Sequence, residues 1–493
     1  MSARTTAQES SATPHAAAST PWELSPRLAR WLLGALVVGF FLLFTGMAAA
    51  KYRWYGQGHD LVLHEQAIWN TTQGRIFEIT GFVQPSRLFG YDPYLIELLV
   101  VPLYALIPSV YLLFALQALA ITLGGVAVWR IARDEGLPAL TALVLALLYY
   151  AFPTVQYTAL DAFRERSFGL CFFLWAMWAF RRERWRPFLI FMVLLIICRL
   201  EAALIASFFG LYALTLRRRG RWVVVPLTLG LGYFFVGNFL FVPLVNQGQP
   251  VTYVYEYFNP LGRSMGEVLR TVVTRPVYTF EATFRTAKLV YLFLLLLPTA
   301  GLALLAPREL IFMLPILGLN LLATKPELTN IRYWYSMLLV GPLVVATTVA
   351  LRRLGDWLPL VRRRPWLPLL PLLACLTLAQ LTPRNPVLSL LLHHESPARL
   401  ATADEIVRTI PPAARVAASS RLAPHLLRRY LYYYPLAQPR ILPTIDYIAA
   451  DVSSNSFEDR DSAAQIAALR ASDEWELILD RSGYQLFKRR GTP

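Results

Sequence analysis

Long apolar runs separated by short polar breaks set the first expectation for this chain. Residues 31–50, WLLGALVVGFFLLFTGMAAA, carry no charge over 20 positions, the length that an α-helix needs to cross a bilayer. Comparable runs follow at 109–129, 222–245, 287–305, 310–323, 335–350 and 366–381, with a longer one at 188–216. Between them lie arginine clusters: RRERWR (181–186), RRRGR (217–221) and RRR (362–364).

Basic loops stay on the cytoplasmic side of a membrane, and this rule predicts the path. With RLAR (27–30) inside, the first helix leads out. One crossing at 109–129 keeps the later clusters inside, so residues 94–107, broken by Pro102, form a helix lying along or dipping into the outer face. The run 188–216 joins two basic clusters and reads as a hairpin with its turn near CRLEA (198–202). The expected fold is a polytopic α-helical membrane protein of about 11 transmembrane helices, integral to the cell membrane, with the N-terminus cytoplasmic.

Residues 1–26, rich in Ser, Thr and Ala, read as a disordered cytoplasmic N-terminus. A signal peptide cut near MAAA (47–50) is the alternative, but the apolar run is longer than a usual signal core, which favours an uncleaved first helix. Residues 27–394 form the transmembrane domain, with outer loop helices within 58–108. From 395 to 493 the pattern turns polar and alternates: ATADEIVRTI helical, RVAASS and IDYIAADV extended, SAAQIAALRA helical, and WELILD-RSG-YQLFKR a hairpin turning at Ser482 and Gly483. This predicts a small extracytoplasmic α/β domain.

Composition agrees. The chain is 56% hydrophobic and 16% charged, with a mean hydropathy of +0.45, which excludes a soluble protein. The net charge of +16 resides in the basic loops and is not read as nucleic-acid binding. The three cysteines lie in apolar runs and form neither a disulfide framework nor a zinc motif.

On the predicted path, unusual polar residues gather on one side. The first outer loop carries His59, Asp60, His64, Glu65 and Asp92. The second, LDAFRER, carries Asp161, Arg164, Glu165 and Arg166. The hairpin tip carries Arg199 and Glu201, and later loops carry Glu256, Arg263, Lys325, Glu327 and Arg332. Carboxylates beside guanidinium groups suit a site that binds an anion and moves a proton. In a helix over 61–72, Leu61, Ile68 and Trp69 face the apolar side, Asp60 and His64 are neighbours, and Glu65 is turned about 140° from Asp60. Plainer readings stand beside these: Asp60 as a helix N-cap, Glu65 on a solvated face, His59 and His64 as hydrogen-bonding groups rather than metal ligands, and Arg164 and Arg166 as loop anchors. A divalent cation is left open. Aromatic residues in YVYEYF and RYWY read either as sugar-stacking groups or as an interfacial belt.

The stretches HDLVLHEQAIWNTTQGRIF, VVPLYALIPSVYLLFALQALAITLGGVAVWRIAR, CRLEAAL and VAASSRLAPHLLRRYLYYYP resemble the prokaryotic membrane proteins grouped as domain of unknown function 2079, over about 55–488. That family is similar to the GT-C superfamily of integral-membrane glycosyltransferases. The resemblance implies a sugar donor on a polyprenyl phosphate or diphosphate, inverting transfer, and an acidic base in the first outer loop. By position, the family's Asp before the loop helix is Asp60, and the acidic residue before QAIWN is Glu65. There are departures. Asp92 in YDPYL stands where His is common, FRERS replaces a Phe-His-Pro stretch, and RLE replaces a more charged triplet, so neither a shared metal nor histidine-based chemistry is carried over from the family. The expected activity is sugar transfer at the extracytoplasmic face with Asp60 as general base and arginines supporting the leaving phosphate. The rivals are an inactive GT-C-like scaffold and a lipid or solute transporter, although a transporter would carry paired polar half-helices at mid-membrane.

Overall fold

A computed structural model describes residues 24–80, 86–248, 256–381, 385–434, 439–453 and 462–491. The disordered reading of residues 1–23 and the sugar-stacking reading of Tyr253 and Tyr255 lie outside the described residues.

The first helix, α1 (Pro26–Arg53), runs unbroken for 28 residues. Ser25 caps it by accepting the Leu28 N–H, and proline in the first turn loses no helical hydrogen bond there. Phe44, Met47 and Ala48 are buried, while Trp31, Val38 and Leu42 are exposed and offer an apolar face to lipid. The loop helix α2 (Asp60–Thr72) follows, one residue longer than expected. Its N-cap is His59, whose side chain makes no cap bond, so Asp60 is the first helical residue and the N-cap reading is corrected. Leu61 and Ile68 are wholly buried against Val110, Leu113 and Phe114.

Residues 94–107 are not one helix. The chain turns at Tyr94 (φ 41), makes a 3-10 turn over Leu95–Leu99, and continues as α3 (Val101–Leu106). Proline is tolerated in the first turn of a helix, which is where Pro102 falls. Leu98, Leu99, Leu103, Leu106 and Ile107 are exposed, as a surface-lying segment requires.

The bundle then runs through α4 (Val110–Asp134), α5 (Ala139–Tyr150), α6 (Pro153–Ala159), α7 (Glu165–Arg181), α8 (Trp185–Ile196), α9 (Leu200–Thr215), α10 (Arg221–Val236) and α11 (Val242–Val245). By length and composition four described helices can cross a membrane: Pro26–Arg53, Val110–Asp134, Arg221–Val245 and Trp334–Trp357. The pair α5–α6, bent by 53°, makes a fifth if taken as one span. Five shorter apolar helices, Trp185–Ile196, Leu200–Thr215, Thr286–Thr299, Glu309–Leu322 and Leu369–Gln380, complete the bundle. Helix length alone thus supports fewer crossings than the expected 11.

Two charged layers mark the bundle's ends. Helix α7 links them, since Glu165 and Arg166 open it and Arg181 closes it. At 1.5 Å per residue these ends lie about 24 Å apart, close to a bilayer's hydrocarbon thickness. The α8–α9 hairpin breaks at Arg199 and returns the chain to the Arg181 layer, where Arg218 bonds the Phe180 carbonyl (2.6 Å) and Glu183 (3.0 Å). A π-turn at Gly237–Phe241 joins α10 to α11. A Cβ on Gly237 would sit 2.2 Å from Leu200 Cδ2, so glycine lets the hairpin tip pack against this turn.

The C-terminal region holds a five-stranded sheet in the order β2-β1-β3-β5-β4, with β1 (Val416–Ala418), β2 (Leu431–Tyr433), β3 (Tyr447–Asp451), β4 (Trp475–Arg481) and β5 (Tyr484–Arg489). Strand β1 is parallel to β2 and β3, and β5 is antiparallel to β3 and β4. Ser482 (φ 51) and Gly483 (φ 78) make the β4–β5 turn in the left-handed conformation that matches strand twist. Helices Pro397–Thr409 and Ser462–Ala471 accompany the sheet.

Candidate functional site

At the end of the bundle that meets the sheet, the start of α2, the α6–α7 loop and the α8–α9 tip converge. Two ion networks form there. In the first, Arg164 Nη2 bonds Asp60 Oδ2 (2.7 Å) and Asp161 Oδ2 (2.8 Å), and Lys51 Nζ reaches Asp161 Oδ1 (3.1 Å). The Arg164 guanidinium lies 3.3 Å from the centre of the Trp334 ring, and its backbone N–H bonds Gln117 (2.6 Å). Arg164 is buried and doubly paired. Burial alone would raise the Asp161 pKa, but Lys51 and Arg164 outweigh it and hold the carboxyl below the usual carboxylate range.

The second network lies alongside. Arg166 bonds Glu201 (2.5 Å) and Glu165 Oε1 (3.1 Å). Arg199 bonds the same Glu165 oxygen (2.9 Å) and lies 3.4 Å from Asp92 and 3.5 Å from Glu201. Asp92 also accepts the Leu200 N–H (3.2 Å) at the start of α9, where a helix favours negative charge. Burial raises the Asp92 pKa to about 7, against the opposing pull of Arg199. His64 Nδ1 meets Glu97 Oε1 at 2.5 Å, and its Nε2 faces Glu165 Oε2 at 3.9 Å. Among the described residues, His64, Glu97 and Glu165 have donor atoms close enough together to hold a metal ion.

Glu65 and His59 face elsewhere. Glu65 is fully buried, not solvated; it pairs with the Tyr104 hydroxyl and with Arg428 Nε (3.4 Å) from the sheet region. Burial raises its pKa. The His59 backbone N–H bonds Ser420 (3.2 Å) and its ring packs on Tyr433 at 4.6 Å, while burial lowers its pKa to about 4. The two histidines are therefore separated and do not share a metal set. Arg332 is exposed in a cleft of about 380 Å³, also lined by Lys51, Asp161, Trp334, Leu390 and His393.

Four participants escaped the sequence reading: Lys51, Tyr94, Glu97 and Arg428. Glu97 left a usable signal. It is the only charged residue in YLIELLVVPLYALI (94–107), and an isolated ionisable group in an apolar segment marks function. Lys51 looked like a helix-end cation, and Arg428 is one of many arginines.

These features define a helical membrane protein with a charged site at the bundle end that carries a small sheet. Solved structures share this fold. The crystal structure of ArnT from Cupriavidus metallidurans, bound to undecaprenyl phosphate, aligns over 94% of this chain and 98% of its own, with a TM-score of 0.52 and 15% identity. The expected GT-C-like architecture is the one observed. The sequence matches the family model described as "Predicted membrane protein (DUF2079)" over residues 52–486, and the chain belongs to that family. No curated protein matches it.

Proposed function

We propose that the protein transfers a sugar from a polyprenyl-phosphate-type donor to an acceptor hydroxyl at the extracytoplasmic face. The observation that carries this reading is the continuous chain Asp60–Arg164–Asp161–Lys51 beside the Arg332 cleft. It is supported by the shared fold with a protein solved with undecaprenyl phosphate bound.

The cleft has the size of a small-ligand site. Lys51 and Arg332 on its wall attract a phosphate, with Arg164 one ion pair behind. Asp60 takes the acceptor's proton as the acceptor oxygen bonds the anomeric carbon. The carbon–oxygen bond to phosphate breaks from the opposite side, so configuration inverts. The charge left on the phosphate passes to the cations. The exposed apolar segment 95–107 borders the path of the lipid tail. Charged groups layered at the bundle ends favour transfer over transport, which needs them at mid-membrane.

Native mass spectrometry of the purified protein is expected to find a co-purified polyprenyl phosphate or its glycosylated form. Asp60→Asn should keep the lipid and lose sugar transfer by about 10²-fold or more. Undiminished transfer by Asp60→Asn removes Asp60 as the base.

A further inference from the structure

We infer that one divalent transition-metal ion binds between His64 Nε2 and Glu165 Oε2, with Glu97 fixing the imidazole from its other nitrogen, a site separate from the Arg332 cleft and independent of the transfer reading. The three residues come from α2, the 3-10 turn at Leu95–Leu99 and the start of α7, and all are buried. One donor atom from each lies within 4.8 Å of the other two.

Charge is the first reason. The second network holds four carboxylates, Asp92, Glu97, Glu165 and Glu201, against two guanidinium groups, Arg166 and Arg199. Two of the four carboxylates have no guanidinium group of their own in this buried cluster, a costly state unless a proton or a cation neutralises them. One divalent cation balances it. The neighbouring cations Arg164 and Lys51 are already matched by Asp60 and Asp161.

Geometry is the second. Both arginines take Glu165 through Oε1 and leave Oε2 on the His64 side. The 3.9 Å from His64 Nε2 to that oxygen is a span that two donors bonded at about 2.1 Å to one ion can bridge. Glu97 holds the other ring nitrogen, as carboxylates do for metal-bound imidazoles. Its Oε2 is buried without a hydrogen-bond partner, which marks a missing positive neighbour. One imidazole with carboxylate oxygens suits Zn²⁺ or Mn²⁺.

The test uses the full chain in detergent, stripped with chelator and dialysed against Zn²⁺ or Mn²⁺. Elemental analysis should give about one ion per chain, and the ion should raise the melting temperature. His64→Gln and Glu97→Gln should lose affinity at least about tenfold, while Glu135→Gln, at the other end of the bundle, should not. Spin-echo spectroscopy of bound Mn²⁺ should detect an imidazole nitrogen, a readout that needs no variant. Wild type that takes up no more ion than His64→Gln, or bound Mn²⁺ without a nitrogen signal, overturns the site. Neither measurement involves a sugar donor, so failure here and failure of the transfer reading are distinguishable.

Discussion

The two ends of the helical bundle each carry a layer of arginines and carboxylates, and the layers differ in sign. At the end formed by Asp134, Arg181 and Trp357, Glu135 pairs with Arg181 and with Arg352 (2.8 Å). Glu309 accepts from Tyr212 (3.1 Å), with Arg181 at 3.6 Å and Arg353 at 4.0 Å. Two buried carboxylates there face three guanidinium groups. At the other end carboxylates outnumber cations, and an open cleft adjoins them. A network built for stability leaves no buried carboxylate unmatched. One with a buried surplus gives up stability for a ligand, as functional sites do.

The comparison is broken or upheld by neutralising one carboxylate in each layer. Glu135→Gln should destabilise the protein by about 1–3 kcal/mol, because it removes the carboxylate that the half-buried Arg181 and the exposed Arg352 share. Glu97→Gln should have the opposite sign and raise the stability of the metal-free protein by about 1–2 kcal/mol, because it removes surplus charge. Both are read by denaturation in detergent with chelator present. Two destabilisations of equal size would make the layers equivalent and end the distinction.

A smaller effect separates the two networks within the site. Asp161 ionises more readily in the folded protein, so its ion pairs stabilise above the ordinary carboxylate pKa and fade as pH falls through the lowered folded value. Asp161→Asn should therefore cost about 2 kcal/mol at neutral pH. The gap from wild type should stay level above about pH 5 and shrink below about pH 4. A gap independent of pH would mean that Asp161 acts by packing alone.

Much of this was legible in the sequence because it rests on periodicity. The helix at 60–72, the hairpin turning on Ser482–Gly483 and the break at Arg199 all follow from patterns that local geometry enforces. The pairing Asp60–Arg164 spans 104 positions and was foreseen only as a shared compartment, since charge rules predict sidedness but not partners. Strand β2 was missed because Leu431–Tyr433 lies in an unbroken aromatic run, LYYYP, with no alternation of apolar and polar positions. Glu65 was misjudged because helical phase says which residues point away from Asp60, not what waits there. What waits is the sheet. Gln66 bonds the Arg429 carbonyl (2.9 Å), Thr80 bonds Leu431 (3.0 Å), and Arg428 meets Glu65, Tyr104 and the Pro108 carbonyl (2.5 Å).

That docking gives the smallest predicted effect. Arg428 sits at φ 68, a left-handed conformation that costs an L-residue about 1–2 kcal/mol, and its bonds to α2 and α3 hold it there. Its side chain is 39% exposed, so the pairing itself is worth about 1 kcal/mol or less. Arg428→Ala loses the bonds and keeps the strain. Arg428→Gly loses the same bonds and relieves the strain. If the sheet holds α2 through this residue, both variants should speed hydrogen exchange in the second turn of α2, while Arg428→Gly melts higher than Arg428→Ala. Equal exchange in wild type and both variants would show that α2, and the Asp60 it carries, keeps its place without the sheet.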